Sequence, residues 1–464
     1  MSRTRRSILG VIAFLVALVT LGLIRRSPKS DSPEEGANAS SVDGRQNRSH
    51  ERIGVEARGV SVVYSVSGGT PEENVRQIVK LLGGIQRIIG KTDIVIVKPN
   101  AQRFNQGMTN TDAMRGFIDL ILGMEGFSGE VIIAENHQYQ QDDCCGWVTK
   151  ERNGRHNLNE LVKYYQDRGF ANVTKYQWHV AGPCTFPLEG DGQGDSRVSG
   201  PEDGDGYVWL EDCFYLSPEG RKCLMTYPIF TSAYSGVRID LKNGPWKNGR
   251  YLDDRRVRFI NFSALNHHGR YAGVSASVKN LMGVVDMTCG FPGDLYPDTY
   301  NTHHIGVSRK KNWLRYSHWR IHGYKGWLRY KFEDFCYRNF HHTGGALGYF
   351  IANVRAPDLN VIAAELVGWG DRKNLAKAFR PKAILASVDP VALDYIAARD
   401  ILLPGTPEDA REESGVLIRR LNDPDNVDGP FHRFLLETHR QGIGNVNPEN
   451  INVIRSAAGQ SVQS

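Results

Sequence analysis

Two short clusters, nearly two hundred positions apart, carry the residue types of a polar ligand site. Lys98-Pro99-Asn100 closes one apolar run, and Lys279-Asn280 interrupts another, Val278 to Val285. A lysine among apolar residues must reach solvent, a carboxylate or a bound anion, because an unpaired buried ammonium is prohibitively costly. Pro99 turns the chain off its strand and aims Asn100 beyond the strand's end. Lysines in such a place supply charge and asparagines supply orienting hydrogen bonds. The expected binding set is therefore Lys98, Asn100, Asn280 and Thr111, around a small anionic or metal-bound ligand. Lys279 and His268 are the expected catalytic residues, His268 as acid–base group or ligand. A strand-ending turn and a snorkelling surface lysine form the competing reading.

Histidine offers a second chemistry. His267-His268, His303-His304 and His341-His342 are adjacent pairs, with Cys289 and Asp294 between them. Neutral imidazole is the commonest metal ligand. Neighbours on a strand point to opposite faces, so at most one of each pair would reach a shared ion. His268, His304 and His342 are the expected ligands of a divalent metal. No H-x-x-x-H or H-E-x-x-H spacing supports them, and hydrogen-bonded or surface histidines are the alternative. The seven cysteines include no C-x-x-C, so neither an iron–sulfur cluster nor a zinc ribbon is expected. Cys144-Cys145 would make a strained adjacent disulfide, and pairing between distant cysteines stays open.

Three tempting motifs fail on spacing. Gly84 to Thr92 reads G-x5-G-K-T, one residue too long for a phosphate loop, and it enters a strand instead of leaving one. Gly273 to Ser277 misses the last glycine of a nucleophile elbow. Asp203-Gly204-Asp205-Gly206 lacks the twelve-residue ligand spacing of a calcium loop.

The positioning elements alternate. Asn74 to Ile89 places Val75, Ile78, Val79, Leu82, Ile85 and Ile89 on one helical face after a Thr70-Pro71 start. Ile94 to Val97 is a fully apolar strand. Asp112 to Leu122 is helical with Thr111 as its cap, Glu130 to Ala134 a strand, and Asn157 to Arg168 a helix stopped by Gly169. Arg258 to Phe262, Asn360 to Ala364 and Ala383 to Ser387 are further strands. Asp389-Pro390 opens a helix to about Asp400 with the aspartate as cap, and Thr406 opens another in a near capping box. Continuous apolar strands alternating with helices predict an α/β fold whose mostly parallel sheet is covered by helices on both faces. Two irregular insertions interrupt it, about 185–215 and 290–345. The acid- and glycine-rich Glu189 to Asp212 is expected as an exposed loop.

Composition bounds the partners. Lysine and arginine (57) barely exceed aspartate and glutamate (51), which excludes a chain built to coat nucleic acid. Ile8 to Ile24 is an uncharged apolar run with arginines on both flanks, and Thr4-Arg5-Arg6-Ser7-Ile8-Leu9 is similar to a twin-arginine export signal. Residues 1–26 are thus expected to form a signal or anchor with one transmembrane helix at 8–24. Residues 27–52 would be a flexible linker, 53–456 the α/β body on the periplasmic side, and 457–464 a tail. Residues 309–331 mix lysines and arginines with Trp313, Trp319 and Trp327, which suits a membrane surface better than nucleic acid once the protein is exported; a packed helix with solvated charges is the competing reading.

Several motifs come in a specific order: Ile-Val-Lys-Pro-Asn at 96–100, Thr-Asn-Thr-Asp at 109–112, Asn266-His267-His268, Lys279-Asn280-x-x-Gly283, and Ala386-Ser387-x-Asp389-Pro390-Val391-Ala392-x-Asp394. Together they resemble the DUF362 family, a domain of unknown function, over roughly residues 90 to 400. Many members carry iron–sulfur domains, whose cysteines this chain lacks. Where the family often has an aspartate after its late strand, this chain has Ala363 and Ala364. The resemblance implies a fold and a pocket but no reaction. The expected protein is a membrane-anchored extracytoplasmic α/β body that binds a small anionic or metal-bound ligand at the sheet's carboxyl edge. Its alternative is a non-catalytic accessory protein of a redox or membrane-bound complex.

Overall fold

The computed structural model describes residues 59–136, 145–178, 197–287, 301–302, 305–306 and 339–459. All belong to one compact unit, His50–Ser464. Strand β1 (Ser61–Ser67) leads to helix α1 (Pro71–Leu81), then β2 (Ile94–Lys98), α2 (Thr111–Leu122), β3 (Glu130–Glu135), α3 (Leu158–Gln166) and β4 (Val173–Gln177). Strands β5 (Gly206–Leu216), β6 (Lys222–Thr231), β7 (Arg238–Asp240), β8 (Gly244–Lys247) and β9 (Arg250–Tyr251) form an antiparallel sheet of their own. The chain continues through β10 (Val257–Ser263), β11 (Asn266–Gly269), β12 (Gly273–Ser275), the short helix α4 (Ser277–Asn280), α5 (His342–Asn353), β13 (Leu359–Ala364) and β14 (Val367–Gly368). It ends in β15 (Ala378–Phe379), β16 (Ala383–Ser387), α6 (Pro390–Ala397), α7 (Ile418–Asn422), α8 (Pro430–His439) and β17 (Ile451–Ala457).

The main sheet has the order β17-β1-β16-β13-β10-β2-β3-β4. Only the pairings of β16 with β1 and β13 are antiparallel, so β16 alone runs against the other seven strands. Central strands such as β2 are buried on both faces, which is why they read as unbroken apolar runs. Val95, Val97, Val131, Ile133 and Phe262 face one core with α1, α2 and α3. Ile94, Ile96, Ile132 and Phe259 face the other, against α4, α5, α6, α8 and the antiparallel sheet. The α/β class with a mostly parallel sheet therefore holds. One of its faces, however, is shared between helices and a second sheet.

Several boundaries differ from expectation, each for a local reason. Helix α1 stops at Leu81 because Gly83 and Gly84 both adopt positive φ; Ile85–Arg87 makes only a 3₁₀ turn before β2. Its start is the expected one, a capping box in which Thr70 and Glu73 bond reciprocally. The cap of α2 is Asn110, whose side chain accepts from the Ala113 amide at 2.8 Å; Thr111 is the first helical residue. Residues 206–212 of the expected acidic loop lie inside the eleven-residue strand β5. No helix follows Thr406, whose hydroxyl donates back to Leu402 O at 2.6 Å. Among the described residues no helix is long and apolar enough to cross a membrane. The runs 8–24 and 309–331 lie outside the described residues, as do Cys144, Cys289, Asp294, His303 and His304. Cys213 and Cys223 are free thiols.

Candidate functional site

The two clusters of the sequence meet. Lys98, the last residue of β2, is 0% exposed, and its ammonium donates to Glu135 Oε1 at 3.0 Å, Asn280 Oδ1 at 3.0 Å and the Pro99 carbonyl at 2.9 Å. An ammonium has three protons, so this one is saturated. Burial pushes the Glu135 carboxyl up and the Lys98 ammonium down, and each partner's charge opposes that shift. The other Glu135 oxygen accepts from the Ala101 amide, which ties the loop after β2 to the end of β3.

Behind the pair lies a layer of amides. The Asn280 side chain donates to Asn261 Oδ1 at 2.8 Å, and Asn261 donates to Asn360 Oδ1 at 2.9 Å and to Ser277. Asn360 in turn donates weakly to the Ser387 and Val388 carbonyls at 3.4 Å. Each asparagine projects from a different element, α4, β10 and β13, so the layer fixes the helix over the sheet. Helix α4 is anchored again at its start, where both Asp394 oxygens accept the Ser277 and Val278 amides at 2.7 and 2.9 Å. Complete burial pushes the Asp394 carboxyl up to about 8. Asp389 acts as the expected cap of α6, accepting from Val391 and Ala392, and also from Ser61 and the Asn445 amide.

Gly283 explains the last position of its motif. A methyl group there would lie closer than van der Waals contact to both Lys98 Nζ and Glu135 Oε1. The chain passes over the ion pair only because no side chain intervenes. Asn136 fastens the same turn, accepting nothing from it but donating to the Met282 and Val285 carbonyls at 3.1 and 2.9 Å.

Lys279 stands one residue along the helix from Asn280 and therefore about 100° around it. The residue is 8% exposed, and its ammonium reaches only the Met282 thioether, at 3.3 Å, among the described residues. Burial pushes it down to about 7, and the positive charges of Arg372, Arg103 and Lys98 push the same way. Arg372, on the loop after β14, is itself lowered to about 10 by burial and by Arg103. Arg103 and Arg372 are both half-buried, so they lead from the surface towards the enclosed lysine. Three cations converge here, and no carboxylate among the described residues is bonded to Lys279 or Arg372.

The remaining expected residues are placed as follows. Asn100 shapes a turn, its side chain accepting from the Gln102 amide at 3.1 Å and its amide donating to Thr109 Oγ1 at 2.7 Å. Thr111 is buried against the loop at 153–156 and donates to the His156 carbonyl at 2.8 Å. His267 is buried between Asn422 and Glu412, at 2.7 and 3.1 Å. His268 takes the opposite side of β11, 2.7 Å from Ser275 Oγ, with its ring edge-on to Tyr271. Tyr271 is also a neighbour of Arg372. His342 lies apart from these, at the start of α5, between Tyr215 and Glu219. Sequence reasoning passed over Glu135, Asn261, Asn360, Arg103 and Arg372. The asparagines were visible as single polar letters in apolar strands.

The fold and the cluster define an α/β protein with a polar, cation-lined centre beside the carboxyl ends of its parallel strands. Residues 257–399 match the DUF362 family model, described as a domain of unknown function, in line with the resemblance that the chain's ordered motifs carry. The matched span holds Asn261, Lys279, Asn280, Arg372, Asp389 and Asp394; Lys98 and Glu135 precede it yet bond into it. No curated protein and no solved structure was found to match the chain.

Proposed function

We propose that the protein binds a small anion of the phosphate or carboxylate class between Lys279, Arg103 and Arg372. The observation that carries this reading is the Lys279 ammonium, buried without a carboxylate partner among the described residues and beside two arginines that depress it further. A fold that encloses like charges costs stability unless something negative joins them. Guanidinium groups offer paired donors matched to phosphate and carboxylate oxygens, and the lysine adds a point charge. The place also suits a ligand, since open α/β sheets bind at the carboxyl ends of their strands.

On this reading Lys98 and Asn280 do not touch the ligand. Their donors are used within the protein, and they hold α4 so that Lys279 faces the arginines. His268 is the candidate acid–base group, through its neighbour Tyr271. Residues 8–24 would tether this body to a membrane, with the anion site on the extracytoplasmic side.

The test is a titration of the purified full chain with inorganic phosphate and sulfate, against chloride at matched ionic strength, followed by thermal unfolding and calorimetry. Both oxyanions should raise the unfolding temperature, and Lys279→Met and Arg372→Met should each remove the response. An equal response in wild type and variants would overturn the assignment.

A further inference from the structure

A second cluster lies where α5 begins. Donor atoms of His341, His342 and Glu437 all fall within 4.8 Å of one another, with His342 and Glu437 buried and His341 half-buried. Two glycines bring them together. Side chains at Gly344 and Gly345 would meet the Phe434 carbonyl of α8 and the Tyr215 ring of β5, so their absence lets the first turn of α5 sit against both. Adjacent residues on a helix are about 100° apart, not opposite as on a strand. The two imidazoles, with ring centroids 4.3 Å apart, can therefore share one target.

The surroundings set the chemical state of His342. Its Nε2 lies 2.8 Å from Glu219 Oε2. That approach is not aligned as a hydrogen bond, so Glu219 acts on the ring by its charge; a proton on Nε2, facing the carboxylate, leaves the Nδ1 lone pair to ligate. Nδ1 faces Tyr215 Oη at 3.3 Å, and Tyr215 donates to Glu437 Oε2 at only 3.4 Å. Both contacts are long for hydrogen bonds to a hydroxyl. A carboxylate that fixes one imidazole nitrogen so that the other can ligate is the usual outer arrangement of metal-bound histidine.

We propose that His341, His342 and Glu437 bind a first-row divalent cation of the zinc class, with Glu219 positioning His342. Two nitrogens and one carboxylate oxygen suit such an ion and leave a coordination position for water or a ligand. Tetrahedral bonds of about 2.1 Å put ligand atoms roughly 3.4 Å apart. Closing from 4.8 Å requires the side chains to move inward by about 1.4 Å. The site shares no residue with the Lys279 group, and the argument for it does not rest on that reading.

The experiment is cobalt(II) titration of the metal-stripped full chain, read by its visible d–d absorption and by displacement with zinc. One equivalent should bind with bands of a low-coordinate site. His341→Ala and Glu437→Gln should each weaken binding at least tenfold. Glu219→Gln should weaken it about 10- to 100-fold while the band positions stay. His432→Ala, on α8 but held by the Pro424 carbonyl at 2.6 Å, should bind like wild type. Because His341 is half-buried, its variant should keep the wild-type circular dichroism and so report on ligation. Absence of the bands in wild type, or unchanged affinity in both His341→Ala and Glu437→Gln, would overturn the proposal.

Discussion

Replacing Lys279 with methionine keeps the stem length and removes the charge, and its effect can be worked out from the burial of the ammonium. The group titrates at about 7 in the folded protein against an ordinary 10.5. That difference of about 3.5 units, at about 1.36 kcal/mol each, makes roughly 5 kcal/mol the ceiling on the cost of holding the charge in the folded state. Water reaching the site through the half-buried arginines would lower the figure. The folded pKa is depressed, so between pH 7 and 10.5 the unfolded chain binds more protons. Wild-type stability from this group is fully present above 10.5 and is lost as pH falls towards 7. Lys279→Met should therefore be more stable than wild type by several kcal/mol at pH 6, and the two should converge near pH 10. Urea unfolding of both chains across that range, without oxyanions, measures the difference directly. Sulfate, which does not titrate there, should bind wild type about tenfold more weakly per pH unit above 7, because each anion bound takes up a proton. A variant less stable than wild type at pH 6, or a pH-independent difference between them, would refute the argument that Lys279 is an uncompensated buried cation.

Other perturbations test the frame. Glu135→Gln should cost about 3–5 kcal/mol in equilibrium unfolding, since it leaves the Lys98 charge buried without its counter-ion; a loss under 1 kcal/mol would contradict the described geometry. Gly283→Ala should cost at least as much as ordinary overpacking, about 1–3 kcal/mol, and should be partly rescued by Lys98→Met, which vacates the space; thermal unfolding of the single and double variants decides it. Asp389→Ala should lose more than the ~1 kcal/mol of an isolated helix cap, because Ser61 and the Asn445 amide lose their acceptor too. Deleting residues 1–26 should release the protein from a salt-resistant membrane fraction into the soluble one, as seen by fractionation and blotting.

What the sequence displayed and what it hid divide along physical lines. Strands β2, β3, β10, β13 and β16 were legible because burial on both faces leaves continuous apolar runs. The caps at Thr70 and Asp389 were legible because few residues can accept a terminal amide. The misassignment at Asn110 and Thr111 arose where two capping residues stand side by side. Strand β5 was hidden by the acids and glycines around its start, for composition marks exposure more clearly than it marks pairing. The convergence of Lys98 with Asn280 could be inferred from their types, but not that the pair is internally satisfied. That depends on Glu135, whose single carboxylate at a strand end looks like any solvated terminus. The strand-based argument about paired histidines suits His267 and His268, which take different partners. It does not carry to His341 and His342, because that pair stands at a helix.

The pairing of β1 with β17 ties residues 61–67 in register to residues 451–457. The earliest described strand thus has one flank that is covered only by a strand from the far end of the described chain. A chain cut short by a frameshift or protease near residue 450 would leave β1 with an open ladder of amides and carbonyls, an invitation to sticky association with other copies. Until residues 451–457 have been made and folded back, that flank of β1 has no partner, so the main sheet closes at this edge only after nearly all of the described chain exists.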